Sequence, residues 1–139
     1  MPTSRAGLLA LAAVVSSAMD LFFRFDFSAA RYLPKLPASH RCSRMHGHTF
    51  QVELTIRGEL HHGPGWIVDF DDVDRAMIEL KDALDHHLLN DIPGLENPTT
   101  ERLAEWLWLR IAERFAGLYR VTVQEHPSRG VHYYGPAAR

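Results

Sequence analysis

Regular alternation of apolar and polar side chains along residues 46–56 constrains the fold of this chain more than any other pattern. The segment reads HGHTFQVELTI, with an apolar residue or a histidine at every second position. Because successive side chains of a strand point to opposite faces, the segment predicts a half-buried β-strand. His46 and His48 are in phase with Phe50 and Val52, so we expect both imidazoles on the face that the core buries.

These two histidines lie in a short cluster with Cys42, the single cysteine of the chain. Two imidazoles at positions i and i+2 on one strand face can bind one metal ion through their neutral ring nitrogens. The alternative is a pair of core histidines whose ring nitrogens are satisfied by hydrogen bonds. One cysteine excludes a disulfide within the chain, so Cys42 is predicted to be a free thiol.

Further strand patterns follow the same logic, with apolar residues at alternate positions or in a short run. The run at 66–70 is consistent with either a strand or the end of one. In chain order, the predicted strands are residues 21–30, 46–59, 66–70, 119–125 and 131–134.

Two segments instead carry apolar residues at helical spacing, from 73 to 84 and from 103 to 115. Pro98 favours the start of the second helix, and Gly117 is expected to end it. Because the chain has no repeat or internal linker, it predicts one α+β domain, an antiparallel sheet with two helices on one face. The open edges of so small a sheet suggest that sheets join between subunits.

Residues 1–18 are predicted to be an extension ahead of a single domain at 19–139. The apolar run at 7–18 resembles the core of a signal peptide, but it is too short to span a bilayer. Because the first strand follows directly, we expect an upstream start codon and a cytoplasmic protein. The net charge of −2 gives no electrostatic indication of a nucleic-acid or membrane partner.

Two further polar features interrupt the apolar patterns. Asp85 can orient the imidazole of His86 and raise its basicity, although a histidine stabilised by the helix dipole is the alternative. Glu125 is in phase with Val121 and Val123, so its carboxylate is predicted to face inward. There it could bind a flat heterocycle that presents an amino group and a ring N–H, unless it is a glutamate at the rim. Together with the cysteine–histidine cluster, these residues predict one pocket.

Five segments, in order and over residues 23–135, closely resemble the 6-pyruvoyltetrahydropterin synthase / QueD family. They are CSRMHGH at 42–48, GWIVDF at 65–70, LDHHLLN at 84–90, ENPTTE at 96–101, and Glu125. The three-residue gap between Cys42 and His46 is similar to that of the bacterial 6-carboxytetrahydropterin synthases. The animal pyruvoyl enzymes have a longer gap there.

The resemblance implies the T-fold (tunnelling fold), in which subunits join their sheets into a trimeric barrel. Two trimers would stack as a hexamer, with active sites between subunits. The implied activity is a lyase that converts 7,8-dihydroneopterin triphosphate to 6-carboxytetrahydropterin, acetaldehyde and triphosphate in queuosine and 7-deazapurine biosynthesis. The alternative activity is that of a 6-pyruvoyltetrahydropterin synthase, which eliminates triphosphate but retains the side chain.

The resemblance also implies a zinc ion held by His46 and His48, which would bind the substrate's side-chain hydroxyls and acidify them. Cys42 would be the proton acceptor, with its thiolate favoured by the nearby zinc. His86 would relay protons while Asp85 holds its ring in place.

Glu125 would anchor the pterin ring and join the proton relay, and Thr99 and Thr100 match family positions near the pterin. The chain departs from the family at Arg31, where relatives carry the third zinc histidine. A guanidinium group has no lone pair to donate, so it cannot replace an imidazole ligand. Arg31 continues the apolar phase of the first strand, so we expect its side chain to point toward the metal pocket. There it would occupy the metal's place and bind substrate oxygens or phosphate, which predicts a metal-deficient pterin-binding protein without catalysis. The alternative is that Arg31 turns to solvent and another group such as His40 completes the zinc site.

Overall fold

A computed structural model describes residues 17–137 of the chain. Most of the expected N-terminal extension, residues 1–16, therefore lies outside the described residues. Within residues 17–137, no helix is long and apolar enough to cross a membrane.

Four antiparallel strands form one sheet in chain order, which confirms the predicted architecture. The prediction of a strand or strand end at 66–70 is wrong. That segment is an irregular connection that leads into a helix, and its Trp66 is 46% exposed. The strands are β1 (Met19–Arg31), β2 (His46–Gly58), β3 (Leu118–His126) and β4 (Arg129–Tyr133).

Both predicted helices are present, and side chains cap their first turns. In α1 (Phe70–Leu84), the Asp69 carboxylate accepts a hydrogen bond from the Asp71 backbone N–H at 2.9 Å. In α2 (Thr100–Ala112), the Thr99 hydroxyl accepts from the Arg102 backbone N–H at 3.1 Å. Capping satisfies backbone donors that have no partner within a helix.

The second helix ends at Ala112, so Gly117 does not end it as predicted. Gly117 instead lies against β2, where its carbonyl oxygen accepts a hydrogen bond from the Arg57 backbone N–H at 2.8 Å. A Cβ atom at this position would come within 2.7 Å of the Arg57 carbonyl oxygen. This glycine therefore permits a close approach of two backbones.

The core fills the space between one face of the sheet and the two helices. Phe27 and Phe50, from neighbouring strands, stack with ring centres 5.0 Å apart. Apolar burial of this kind supplies the main driving force for folding. The largest fully buried side chains are Phe27, Phe50, Leu54, Leu84, Leu89, Leu95, Leu103, Leu107 and Ile111.

The end of β1 is fixed by two connections beyond the sheet. The Asn90 side chain makes two hydrogen bonds to the backbone of Tyr32. It accepts from the Tyr32 N–H at 3.0 Å and donates to the Tyr32 carbonyl oxygen at 2.8 Å. The backbone N–H of Leu33 donates to the carbonyl oxygen of Cys42 at 2.8 Å. These bonds hold the loop that carries Cys42 close to the last residue of β1, Arg31.

We predict that Gly117→Ala lowers the free energy of unfolding by about 1–3 kcal/mol, because the added methyl group meets a backbone carbonyl that cannot turn away. Gly63→Ala is the matched control, since a Cβ there has nothing within 4 Å. Chemical denaturation of the two variants measures the difference. Equal stabilities would contradict the close packing at Gly117.

Candidate functional site

A buried ion pair between Arg31 and Glu125 lies at the centre of the candidate site. Arg31 Nη2 donates to Glu125 Oε2 at 2.5 Å, and the arginine side chain is only 4% exposed. Arg31 Nη1 donates to the Pro98 carbonyl oxygen and to Thr100 Oγ1, both at 3.1 Å. The Thr100 hydroxyl donates to Glu125 Oε2 at 2.7 Å. The network joins the end of β1, the start of α2 and the end of β3.

This network excludes the alternative in which the Arg31 side chain turns to solvent. Arg31 continues the core-facing phase of β1, and its guanidinium carbon lies 5.2 Å from the centre of the Phe50 ring. His40, the substitute ligand expected in that case, is exposed. Its Nδ1 accepts a hydrogen bond from the backbone N–H of Cys42 at 3.1 Å.

The Glu125 carboxylate faces inward, as its phase along β3 predicts, and its environment favours the charged form. Burial alone would raise the pKa of Glu125. Hydrogen bonds from Thr100, Arg129 and Arg31, together with the charge of Arg31, outweigh burial and lower the pKa to about 2. The bond from Arg129 Nε to Glu125 Oε1 is 2.9 Å long. Glu125 is therefore an anion throughout the physiological pH range.

One cavity of about 230 Å³ brings several of the predicted residues together. Cys42 contributes a partly exposed free thiol to it. Cys42 shares this cavity with Arg31 and Arg129 because its loop returns to the end of β1. The predicted residues that line this cavity are Arg31, Cys42, Thr99, Thr100 and Glu125.

His86 lines a second cavity together with His48, and Asp85 contacts the His86 ring. One chain therefore does not form the single pocket that the sequence predicts. The segment that contains Asp85 and His86 runs along the open edge of β1. There the Ser28 carbonyl oxygen accepts a hydrogen bond from the His86 backbone N–H at 2.6 Å. His86 adopts a left-handed conformation with φ of 59°, and its side chain is 82% exposed. These edge contacts direct the imidazole away from the cavity that contains Cys42.

Asp85 holds the His86 ring, as predicted. One carboxylate oxygen accepts from the Ser28 backbone N–H at 2.8 Å, and the other lies 2.9 Å from His86 Nδ1. The backbone hydrogen bond from Ser28 is the main cause that lowers the pKa of Asp85, and His86 lowers it further. Asp85 therefore orients the exposed imidazole of His86 toward the space outside the β1 edge of the sheet.

The predicted zinc site can be tested on the two strand histidines. The ring centres of His46 and His48 are 5.0 Å apart, and His46 Nε2 is buried without a hydrogen-bond partner. Burial and the charge of Arg31 lower the pKa of His48 and so favour the neutral ring that a metal ion requires. Two imidazoles are thus available as ligands.

A third ligand is missing among residues 17–137, where no group of three histidine, cysteine, aspartate or glutamate side chains could hold a metal ion. Arg31 is paired directly with His46 across the two strands and is a fixed positive charge. A guanidinium at that place would repel a divalent cation, and catalytic zinc sites usually have three protein ligands. The residues present therefore do not fit the zinc ion that the resemblance implies.

Sequence reasoning missed two residues of this site. Asn90 fixes the backbone that follows Arg31. Its place in the LDHHLLN segment is the only feature of the sequence that could have indicated a role in this site. Arg129 binds Glu125 from the first position of β4, and no sequence pattern indicates a half-exposed arginine as a partner.

We predict that Glu125→Gln lowers the free energy of unfolding by about 3 kcal/mol at pH 7, because it leaves the buried Arg31 charge without a partner. The pKa of Glu125 is depressed from 4.5 to about 2, so this stabilisation is fully present above pH 4.5 and is lost as the pH falls toward 2.

Denaturation at several pH values from 7 to 2.5 measures the difference between the native protein and the variant, with the exposed Glu59→Gln as the control. A difference that stays constant over this range would contradict the pairing.

Comparison with known proteins identifies the family. The family model described as 6-pyruvoyl tetrahydropterin synthase matches residues 20–136. A Synechocystis protein named 6-carboxy-5,6,7,8-tetrahydropterin synthase is 32% identical over 123 residues, which cover 84% of this chain and 93% of the relative. A Pyrococcus furiosus protein named dihydroneopterin monophosphate aldolase is 32% identical over 114 residues, covering 80% and 93%.

The fold agrees with this sequence similarity. The structure of Caenorhabditis elegans 6-pyruvoyl tetrahydropterin synthase superposes with a TM-score of 0.80 at 24% identity, covering 87% of this chain and 98% of the other. The four-stranded antiparallel sheet with two helices is the T-fold that the sequence predicts. The chain belongs to the 6-pyruvoyl tetrahydropterin synthase family of pterin-metabolising lyases.

Proposed function

We propose that this chain is a 6-carboxytetrahydropterin synthase, which converts 7,8-dihydroneopterin triphosphate to 6-carboxytetrahydropterin, acetaldehyde and triphosphate. The observation that carries the proposal is the cavity in which the thiol of Cys42 and the ionised carboxylate of Glu125 occur together. The similarity to the Synechocystis relative over 93% of its length supports this reaction. A role in queuosine synthesis and a cytoplasmic location stay predictions.

Glu125 is the proposed anchor for the pterin ring, and its present contacts limit how the ring can bind. Oε2 already accepts two hydrogen bonds, from Arg31 and Thr100, while Oε1 accepts one, from Arg129. A carboxylate oxygen has two lone-pair sites, so a pterin that donates to both oxygens must displace one donor from Oε2. The Thr100 hydroxyl can leave by a single rotation, which keeps the Arg31 ion pair intact.

The proton acceptor is proposed to be Cys42, which lies partly exposed in the same cavity as Glu125. A proton on the side chain of a bound pterin would then be within reach of the Cys42 sulfur, which as a thiolate accepts the proton and becomes a thiol. His86 of the same chain cannot serve this cavity, because it lines a different one.

We therefore place the active site between subunits of an oligomer, in which Cys42 and Glu125 come from one chain and His86 from a neighbour. The exposed, held imidazole of His86 supports this arrangement, since an oriented group usually has something to act on. A hexamer of two trimers, as the family resemblance implies, supplies such interfaces.

Two other activities compete with this proposal. A 6-pyruvoyltetrahydropterin synthase would retain the side chain, and product mass separates the two reactions. A pterin-binding protein without catalysis is favoured by one observation, the buried Arg31 in the place of a zinc ligand. In that case the protein would bind the pterin but leave it unchanged.

The activity test is incubation of the purified protein with 7,8-dihydroneopterin triphosphate, followed by mass analysis of the products. We expect 6-carboxytetrahydropterin and acetaldehyde from the native protein, and at least a hundredfold slower turnover from Cys42→Ala, a loss typical of a missing acid–base group. Ile78→Ala, exposed on α1, is the control that keeps its activity. Binding without any turnover would favour the non-catalytic alternative.

A mixing experiment tests the position of the site between subunits. Cys42→Ala and His86→Ala are each expected to be nearly inactive, but refolding them together should restore about a quarter of the activity, because a quarter of random interfaces combine two intact residues. Equal inactivity of the mixture, at full oligomer assembly, would show that both residues act within one chain.

A further inference from the structure

Two buried polar atoms near the ion pair have no hydrogen-bond partner. They are Arg31 Nε and His46 Nε2, and each has almost no solvent-accessible area. An unsatisfied polar atom in the interior is destabilising, so such atoms are uncommon in folded proteins. Both atoms therefore point to a group that this site binds.

The two atoms have opposite hydrogen-bonding roles. Arg31 Nε carries a hydrogen and can only donate. His46 Nδ1 lies 2.8 Å from the Arg44 carbonyl oxygen, which can only accept, so the ring hydrogen belongs on Nδ1. In the neutral ring, Nε2 is then an acceptor. The site offers one donor and one acceptor.

These atoms extend from neighbouring positions. Arg31 and His46 are directly paired across β1 and β2, and both follow the core-facing phase of their strands. Residues opposite each other in an antiparallel pair have Cβ atoms about 4.5–5.5 Å apart. A small polar group is thus sufficient to reach both side chains.

Only one kind of chemical group can form hydrogen bonds with both Arg31 Nε and His46 Nε2. A phosphate or carboxylate oxygen could accept from Arg31, but it would have no hydrogen to give to His46. A divalent cation could bind His46, but the Arg31 guanidinium would repel it. A hydroxyl group both accepts and donates, so it satisfies the two atoms together.

We propose that Arg31 and His46 bind a side-chain hydroxyl of the pterin directly, in the place where the resemblance implies zinc. This inference rests on the proposed function, because it takes Glu125 as the anchor of the pterin ring. Arg31 donates to Glu125 through Nη2 and would donate to the hydroxyl through Nε. Because the guanidinium is rigid and planar, it fixes the distance between the bound pterin ring and this hydroxyl. Arg31 is then a residue that determines specificity for hydroxylated pterins.

The test compares the binding of neopterin, which carries a trihydroxypropyl side chain, with that of 6-methylpterin, which has no hydroxyl. Titration calorimetry uses the full-length protein after dialysis against a chelator. We expect neopterin to bind at least about tenfold more tightly, the effect of losing a hydrogen bond to a charged donor.

Two variants separate the contributions of the paired side chains. Arg31→Lys keeps a positive charge for Glu125 but removes the Nε donor, and His46→Phe removes the acceptor while it keeps a planar ring. Each should bind both pterins and lose most of the preference for neopterin. The native protein alone provides the decisive comparison if either variant fails to fold.

Equal affinity of the native protein for the two pterins would overturn this inference and leave the proposed function standing. A preference that appears only after zinc is added would likewise overturn it, because the metal would then hold the hydroxyl. Failure to bind either pterin would overturn the proposed function and this inference with it.

Discussion

The buried ion pair between Arg31 and Glu125 is the interaction on which the rest of the site depends. It connects the last residue of β1 with the end of β3, 94 residues later in the chain. Charges are costly to bury unless hydrogen bonds satisfy them, and here Thr100, Pro98 and Arg129 supply those bonds. Loss of either partner would leave an uncompensated charge in the interior.

The same ion pair determines two features of the candidate site. By holding Glu125 ionised, it prepares a carboxylate that can bind the donor edge of a heterocycle. By placing a guanidinium opposite His46, it takes the position where a third imidazole would complete a metal site. The chain thus keeps the family's fold and the proposed ring anchor Glu125, and it carries a guanidinium where the resemblance implies a zinc ligand.

Sequence patterns predicted the sheet, both helices and the inward orientation of Glu125, because each depends on local periodicity. They failed where backbone contacts between distant segments decide the structure. Gly117 lies against Arg57 rather than at a helix end, and residues 66–70 connect two elements rather than forming a strand. The periodicity of Arg31 predicted the face on which it lies but could not reveal a partner on another strand.

The division of the site between two cavities has the same origin. Hydrogen bonds to Ser28 hold Asp85 and His86 at the open edge of β1, and no pattern in the sequence reports which edge a loop will follow. Resemblance to the family supplied the idea of a site shared between subunits, and the exposed position of His86 supports that proposal.

The zinc content of the purified and dialysed protein, measured by elemental analysis with Arg31→His beside it, decides whether Arg31 has replaced the metal. We predict far less than one zinc ion per subunit in the native protein and a rise toward one in the variant, because an imidazole would restore the third ligand. One tightly held zinc ion per native subunit would contradict the account.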